Sequence, residues 1–191
     1  EGGSGPCVEV GLGMSGQVLR VAPGRRLPPD HAHVVWTLDT GERIVFRDPR
    51  RFGGIWALAD RSALEVRWAR LGPDALSLTF GELTHAFAGT ARSLKAALLD
   101  QRAVAGVGNI YADEAAFEAR LHPLTPAGEL TGPERERLAW AIRGVLARAV
   151  QARGSTLRDF TDADGRSGAY RAAHAVYGRA GEACRRCGDS L

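Results

Sequence analysis

The sequence predicts a multi-domain α and β chain: a β part first, a helical part second and a small cysteine-bearing tail last. Three observations carry this. Up to about residue 78 the apolar residues come in short β-branched and aromatic runs broken by glycine. From about Ser77 the apolar spacing changes to that of a helix. Near the end, Cys184 and Cys187 form a C-x-x-C followed by Gly188.

Taken in order, "VEVGLGMSGQVLRV" has a glycine-broken strand pattern. "HVVWTLDTGERIVF" is two β runs around Asp39, Thr40, Gly41 and Glu42, which predicts a hairpin with a short glycine turn. "GGIWALAD" reads as a further strand. The β part spans 1–78, and a linker with room for a short helix covers 79–90. The helical part runs to 173 and the tail is 174–191. Leu94, Ala97 and Leu98 begin a helical stripe. The clearest helix opens at Thr131, an N-cap with Pro133 in the first turn and Glu134 completing a capping box. Leu138, Ile142, Val145, Leu146 and Ala149 then share one face, and Gly154 is a C-terminal stop. The chain shows no internal repeat.

A chain of 191 residues, 45% hydrophobic and 25% charged, has room for a core. It has no stretch approaching a membrane span and no basic-then-apolar leader, so a cytoplasmic location is the expectation. The net charge of +3 says little about partners, but the kind of charge says more: Lys95 is the only lysine among 25 basic residues. Arginine is the better fork for phosphate and guanine edges, although a GC-rich genome gives the same bias. Three cysteines are too few for a disulfide framework.

In "DQRAVAGVGNIYADEAAF" a glycine-punctuated loop, 104–108, leads at Asn109 into a segment where Ile110, Glu114 and Phe117 recur at helical spacing. A helix N-terminus with bare backbone before it suits a phosphate, and Asn109 would add a side-chain N–H. An ordinary helix–turn–helix corner with Asn109 as N-cap is the alternative. In "RDPRRFGG" two arginines meet an aromatic on a loop after a strand. A protein that extracts a base from a duplex needs an apolar wedge beside a hydrogen-bonding cation; Phe52 and Arg50 suit those parts, and Met14 in "GLGMSG" suits a second wedge. A solvated arginine pair, a core Phe52 and a packing Met14 remain open. His31 and His33 suggest a metal pair or, without a third cluster, two rings on one face at a strand edge. Cys184 and Cys187 are the first knuckle of a zinc ribbon, but four ligands are needed and the two cysteines are half a site.

Together these motifs resemble the bacterial formamidopyrimidine-DNA glycosylase family. The matching segments are "GLGMSGQVL", "DPRRFGG", "LGPDALS", "LKAALLDQRAVAGVGNIYADEAAFEARLHP", "GSTLRDF" and "AVYGRAGEACRRCG". The sister endonuclease VIII group shares the helix–two-turn–helix unit but fits the central and final segments less well. The resemblance implies an N-terminal β-sandwich, present here in part, a helix–two-turn–helix DNA-binding domain and the start of a C-terminal zinc ribbon. It implies a DNA-repair enzyme that excises 8-oxoguanine and formamidopyrimidines by base flipping and Schiff-base chemistry, then cuts the strand. The implied partner is double-stranded DNA with oxidised purine or abasic sites, met by a monomer.

By motif, Met14, Arg50 and Phe52 resemble void-filling residues. His31, Arg50, Arg92 and Lys95 resemble DNA contacts, with the alignment loose at Arg92, and Asn109 resembles a phosphate-gripping asparagine. "DADGRSGAY", 162–170, resembles the loop that closes over a flipped base, where Arg166 would meet phosphate. The family's nucleophile is an N-terminal proline amine beside a glutamate, with a lysine aiding elimination. Here Pro6 is internal and no lysine precedes Met14, so no catalytic residue is identified. The expectation is a family member cut at both ends, inactive as it stands, with zinc belonging to the complete protein. A non-catalytic module for abasic or kinked DNA is the competing expectation.

Overall fold

The computed structural model describes residues 5–156 and 161–191. Glu1 and the 157–160 part of "GSTLRDF" lie outside the described residues. The chain divides into two compact units. A β unit joins 1–68 to 152–171, and a helical unit joins 69–151 to 172–191. The division differs from the three consecutive blocks read from sequence: 69–78 goes with the helices, and the 162–170 loop goes with the β unit.

The β unit holds two small antiparallel sheets. In one, β1 (Cys7–Gly11) pairs with β5 (Gly54–Leu58). In the other, β4 (Arg43–Arg47) lies between β2 (Gln17–Val21) and β3 (Ala32–Thr37). "VEVGLGMSGQVLRV" is therefore two strands in two sheets. The turn between them closes with Gly16 N–H donating to Leu12 O at 2.7 Å, and a Cβ on Gly16 would meet that oxygen at 2.3 Å. The expected β3–β4 hairpin forms, with Leu38 N–H on Glu42 O and Gly41 at φ +80°. A helix, α1 (Arg61–Trp68), sits in the region read as β. Its start is signalled by Asp60, whose carboxylate accepts from Ala63 N–H at 3.0 Å and the Ser62 hydroxyl at 2.6 Å.

The helical unit contains α2 (Phe80–Ala86), α3 (Leu94–Leu99), α4 (Asn109–Glu118) and α5 (Gly132–Gln151). The linker read with room for a short helix holds α2, capped by a full Thr79/Glu82 capping box. At α5 the Thr131 N–H donates to the Glu134 carboxylate at 2.8 Å, and the face from Leu138 to Ala149 is buried as its spacing requires. The core cluster runs from Ala75 to Leu146, and α4 packs on α5 through small residues such as Ala112 and Ala116. Among the described residues no helix is long and apolar enough to cross a membrane.

Candidate nucleic-acid interface

In the β unit two glycine turns, 12–16 and 48–53, are locked together. The Asp48 carboxylate is buried and accepts from the Ser15 hydroxyl at 2.6 Å, Gly53 N–H at 2.8 Å and Arg50 N–H at 3.3 Å. The Ser15 hydroxyl, then the Gly53 N–H, hold this carboxyl below the usual carboxylate range. Gly13, at φ +56°, has no room for a side chain: a Cβ would lie 2.7 Å from the Phe52 carbonyl carbon. Gly53 is as crowded, 2.4 Å from Gly11 O. The turns therefore interlock backbone to backbone, and their tips point outward. Met14 is 75% exposed and Phe52 58% exposed, with the Arg50 guanidinium 4.6 Å above the Phe52 ring. The core and packing alternatives for Phe52 and Met14 do not hold. Sequence reading missed Asp48, although an aspartate opening "DPRRFGG" is a turn-forming signal.

The two histidines separate. His31 takes φ +59° and sits 3.3 Å from Asp30, while His33 Nε2 meets Asp48 O at 2.8 Å. The left-handed residue and the register shift between Ala32 and Val34 break strand alternation, so the expectation of a matched ring pair fails. No group of three or more metal-ligating side chains occurs among the described residues.

The 162–170 loop also belongs to the β unit. The Asp162 carboxylate accepts from Asp164 N–H at 3.0 Å and Arg166 N–H at 2.8 Å, which folds 162–166 into a tight turn with Arg166 exposed. The Arg166 N–H, first of several causes, lowers the Asp162 pKa.

In the helical unit the glycine loop is fixed from within. Val104 and Val107 are buried, and the Gln101 side chain donates to Val107 O at 2.9 Å and accepts from Gly106 N–H at 2.8 Å. Gly106 needs its φ of +99°, but Gly108 is exposed, with nothing within 4 Å of a built Cβ. The fold does not require a glycine there. Gly108, not Asn109, is the N-cap of α4. Asn109 is the first helical residue, and its amide donates to the Tyr177 hydroxyl at 3.3 Å.

Tyr177 is held in turn by Glu114. This buried carboxylate accepts three successive N–H groups, of Ala175, Val176 and Tyr177, at 2.8, 3.0 and 2.8 Å. A carboxylate on the otherwise apolar face of Ile110 and Phe117 was the readable sign of it. Lys95 Nζ pairs with Asp113 at 2.8 Å, and Arg92 with Asp100 at 2.6 Å. Lys95, Asn109, Asp113, Phe117, Tyr177 and Arg186 are among the residues lining a pocket of about 660 Å³.

The tail forms a small hairpin. Ala183 bridges Ser190, Gly188 N–H donates to Cys184 O at 2.9 Å, and Arg186 N–H points at Cys184 Sγ at 3.4 Å. The Arg186 and Cys187 N–H groups hold the Cys184 thiol below its ordinary range. The neighbouring Cys187 thiol is pushed up, by Cys184 and Asp189 among other causes, and the two cysteines supply two of the four donors a tetrahedral zinc takes. His174 is buried edge-on to Tyr177.

Small antiparallel sheets bearing exposed apolar and arginine tips, followed by helices around a glycine-turn helix corner, define a mixed α/β protein of the helix–two-turn–helix class. Residues 71–161 match the model of the formamidopyrimidine-DNA glycosylase H2TH domain, and residues 3–55 match that family's N-terminal domain. The formamidopyrimidine-DNA glycosylase of Laribacter hongkongensis is 48% identical over 94% of this chain and 66% of the relative. That of Herpetosiphon aurantiacus is 45% identical over 95% and 67%. The MutM (Fpg) protein of Thermus thermophilus superimposes with a TM-score of 0.85 at 43% identity, over 97% of this chain and 69% of that one. A Lactococcus lactis Fpg complexed with DNA containing an abasic site gives 0.85 at 26% identity, over 97% and 68%. The chain belongs to the formamidopyrimidine-DNA glycosylase family, and it spans about two thirds of the length of these relatives.

Proposed function

We propose that this chain is the damage-binding body of a cytoplasmic base-excision repair enzyme, a DNA glycosylase with AP-lyase activity that removes oxidised purines such as 8-oxoguanine and formamidopyrimidines. The observation that carries the proposal is the interlocked pair of turns. Their geometry costs two crowded glycines and a buried carboxylate, and what they present to solvent is Met14, Phe52 and Arg50. An extruded base leaves a hole that must be filled by an apolar wedge and a cation able to bond the widowed partner.

The helical unit supplies the grip. Gly108 leaves the N-terminus of α4 bare where no fold contact asks for it, and a bare helix N-terminus takes a phosphate. Asn109 and Lys95 border the same pocket. Their contacts are to backbone, so they give affinity and not sequence preference. In the β unit, His31, Arg50 and Arg166 add contacts. Zinc, where bound, would stiffen the tail through Cys184 and Cys187 and supplies no reacting group.

The family's covalent step needs an unprotonated amine against C1′. The Pro6 nitrogen is a backbone amide, and Lys95 Nζ is engaged by the Asp113 carboxylate at 2.8 Å. We assign neither as a nucleophile. The Lys95–Asp113 pair also favours the second reading, a non-catalytic module for abasic or kinked DNA. One experiment tests what the two readings share and the assignment of Lys95. The 191-residue protein is titrated with an abasic-site duplex from low to physiological salt, then treated with borohydride. Both readings require tight, steeply salt-sensitive binding, and a flat affinity would refute both. A trapped adduct abolished by Lys95→Ala would overturn the assignment of Lys95.

A further inference from the structure

The geometry points to Arg20 as the residue that positions the 162–166 turn, the tip of the loop read above as the lid over a flipped base; the inference rests on that reading. β2 is an edge strand in the order β2-β4-β3, so its outward N–H groups face no neighbouring strand. The Arg20 N–H donates instead to Ala163 O at 2.8 Å, and Arg20 Nη2 reaches Asp164 Oδ1 at 3.1 Å. One residue ties the turn twice, through backbone and side chain. A second carboxylate, Glu42, lies 3.9 Å from Nη1 and helps orient the guanidinium.

The turn is a preformed piece. Besides the bonds to the Asp162 carboxylate, Asp162 N–H donates to Arg166 O at 2.9 Å and Gly165 N–H to Asp162 O at 2.9 Å, with Gly165 at φ +78°. Its root is pinched at Gly168, whose N–H donates to the Thr156 hydroxyl at 2.7 Å and whose Cβ, if built, would lie 2.1 Å from Gly154 O. A stiff turn on a pinched root takes its position from whatever holds its tip, and Arg20 holds it. Asp164 is also shared: its Oδ1 faces Arg20 at 3.1 Å and its Oδ2 faces Arg166 at 3.8 Å. By taking the closer hold on Asp164, Arg20 keeps the carboxylate from closing on Arg166, whose side chain stays 59% exposed for a phosphate or base. Arg20 is a positioning residue for retention of the damaged base.

Two measurements on the 191-residue protein test this. In the free protein, Arg20→Ala should speed amide hydrogen exchange at position 20, whose N–H donates to Ala163 O, and Arg20→Lys, which keeps a cation facing Asp164, should slow it again. Unchanged exchange at position 20 in Arg20→Ala would overturn the latch. On DNA, Arg20→Ala should weaken binding to a duplex with non-cleavable carbocyclic 8-oxoguanine by about two- to fivefold, the range of an exposed ion pair. Binding to a tetrahydrofuran abasic duplex, which offers the loop no base, should not change. Equal loss on both duplexes would make Arg20 a plain phosphate contact and overturn the inference. If the parent protein bound neither duplex, the repair reading would fall, while hydrogen exchange would still decide the latch.

Discussion

In the helical unit the large side chains with almost no exposure are Phe87, Leu78, Leu83, Leu94, Leu98, Leu138, Ile142 and several valines. In the β unit the described residues buried to that degree are Val45 and the carboxylate of Asp48. One unit is held mainly by apolar packing, and its buried carboxylate, Glu114, ties 175–177 to α4 outside that packed core. The other depends at its centre on directed hydrogen bonds from Ser15, Arg50 and Gly53 to one charged group. The difference follows the two tasks proposed for them. A backbone grip has only to present an N-terminus and an amide, and a packed helix pair does that. Wedge tips must stand out from the sheet at fixed positions, and turns too short for a core of their own can be fixed only by polar staples and glycine contacts.

The largest effect should come from breaking the packed unit. Leu98→Ala removes a fully buried side chain from α3 and should cost about 2–5 kcal/mol in denaturant unfolding. Val45→Ala, the matching change in the β unit, should cost about 1.5 kcal/mol, in line with two buried carbons. Equal losses at both positions would erase the distinction between the units.

Next in size is the staple. Asp48→Ala strands the Ser15 hydroxyl and the Gly53 N–H, and should lower the preference for abasic over intact duplex by roughly tenfold, as the tips lose their fixed positions. Competition binding with the two duplexes measures it. The same carboxylate gives a pH signature. Its folded pKa lies below the ordinary value, so its contribution is fully present above about pH 4 and is lost as pH falls through the lowered folded value. Acid should therefore loosen the strands beside the Asp48 turn before the apolar buried face of α5. Hydrogen exchange of β2 and β4 amides against α5 amides, followed down from pH 5, reads the order of loss.

How much of this the sequence discloses depends on the range of the interactions. The β3–β4 hairpin, the α5 stripe and the α3 stripe are local patterns, and they fold as read. The pairing of β1 with β5 spans most of the β unit, and no local signal carries it. Helix α1 carries helix formers, the Asp60 cap and an Arg61–Glu65 pair one turn apart, but it is short and follows β5 almost directly. The Thr79/Glu82 box was as readable as the one at Thr131, but α2 spans only seven residues, so the sequence gives no more than room for a short helix in a linker. Motif resemblance placed Met14, Arg50, Phe52, Lys95 and Asn109 on exposed or pocket-lining positions. It did not disclose what holds them. Asp48, Gln101, Glu114 and Tyr177 act on partners that only the folded chain brings near, except at the two turns they close.

Smaller effects belong to single contacts. Arg92 is engaged by Asp100, so Arg92→Ala should change affinity less than Asn109→Ala at the same salt. Metal analysis of the purified monomer should find no tightly held zinc, because the Cys184–Cys187 hairpin offers two thiolates. One zinc per monomer would show a donor set beyond the described residues.

The most direct test of the division between grip and wedge is the ratio of dissociation constants for intact and abasic duplex, measured at one fixed salt for the parent protein, Asn109→Ala and Phe52→Ala. Asn109→Ala should weaken both duplexes by about three- to tenfold, the net scale of one ordinary hydrogen bond, and leave the ratio unchanged. Phe52→Ala should bring the ratio towards one with little effect on intact duplex. A ratio that survives Phe52→Ala, or one that collapses in Asn109→Ala, would contradict the account.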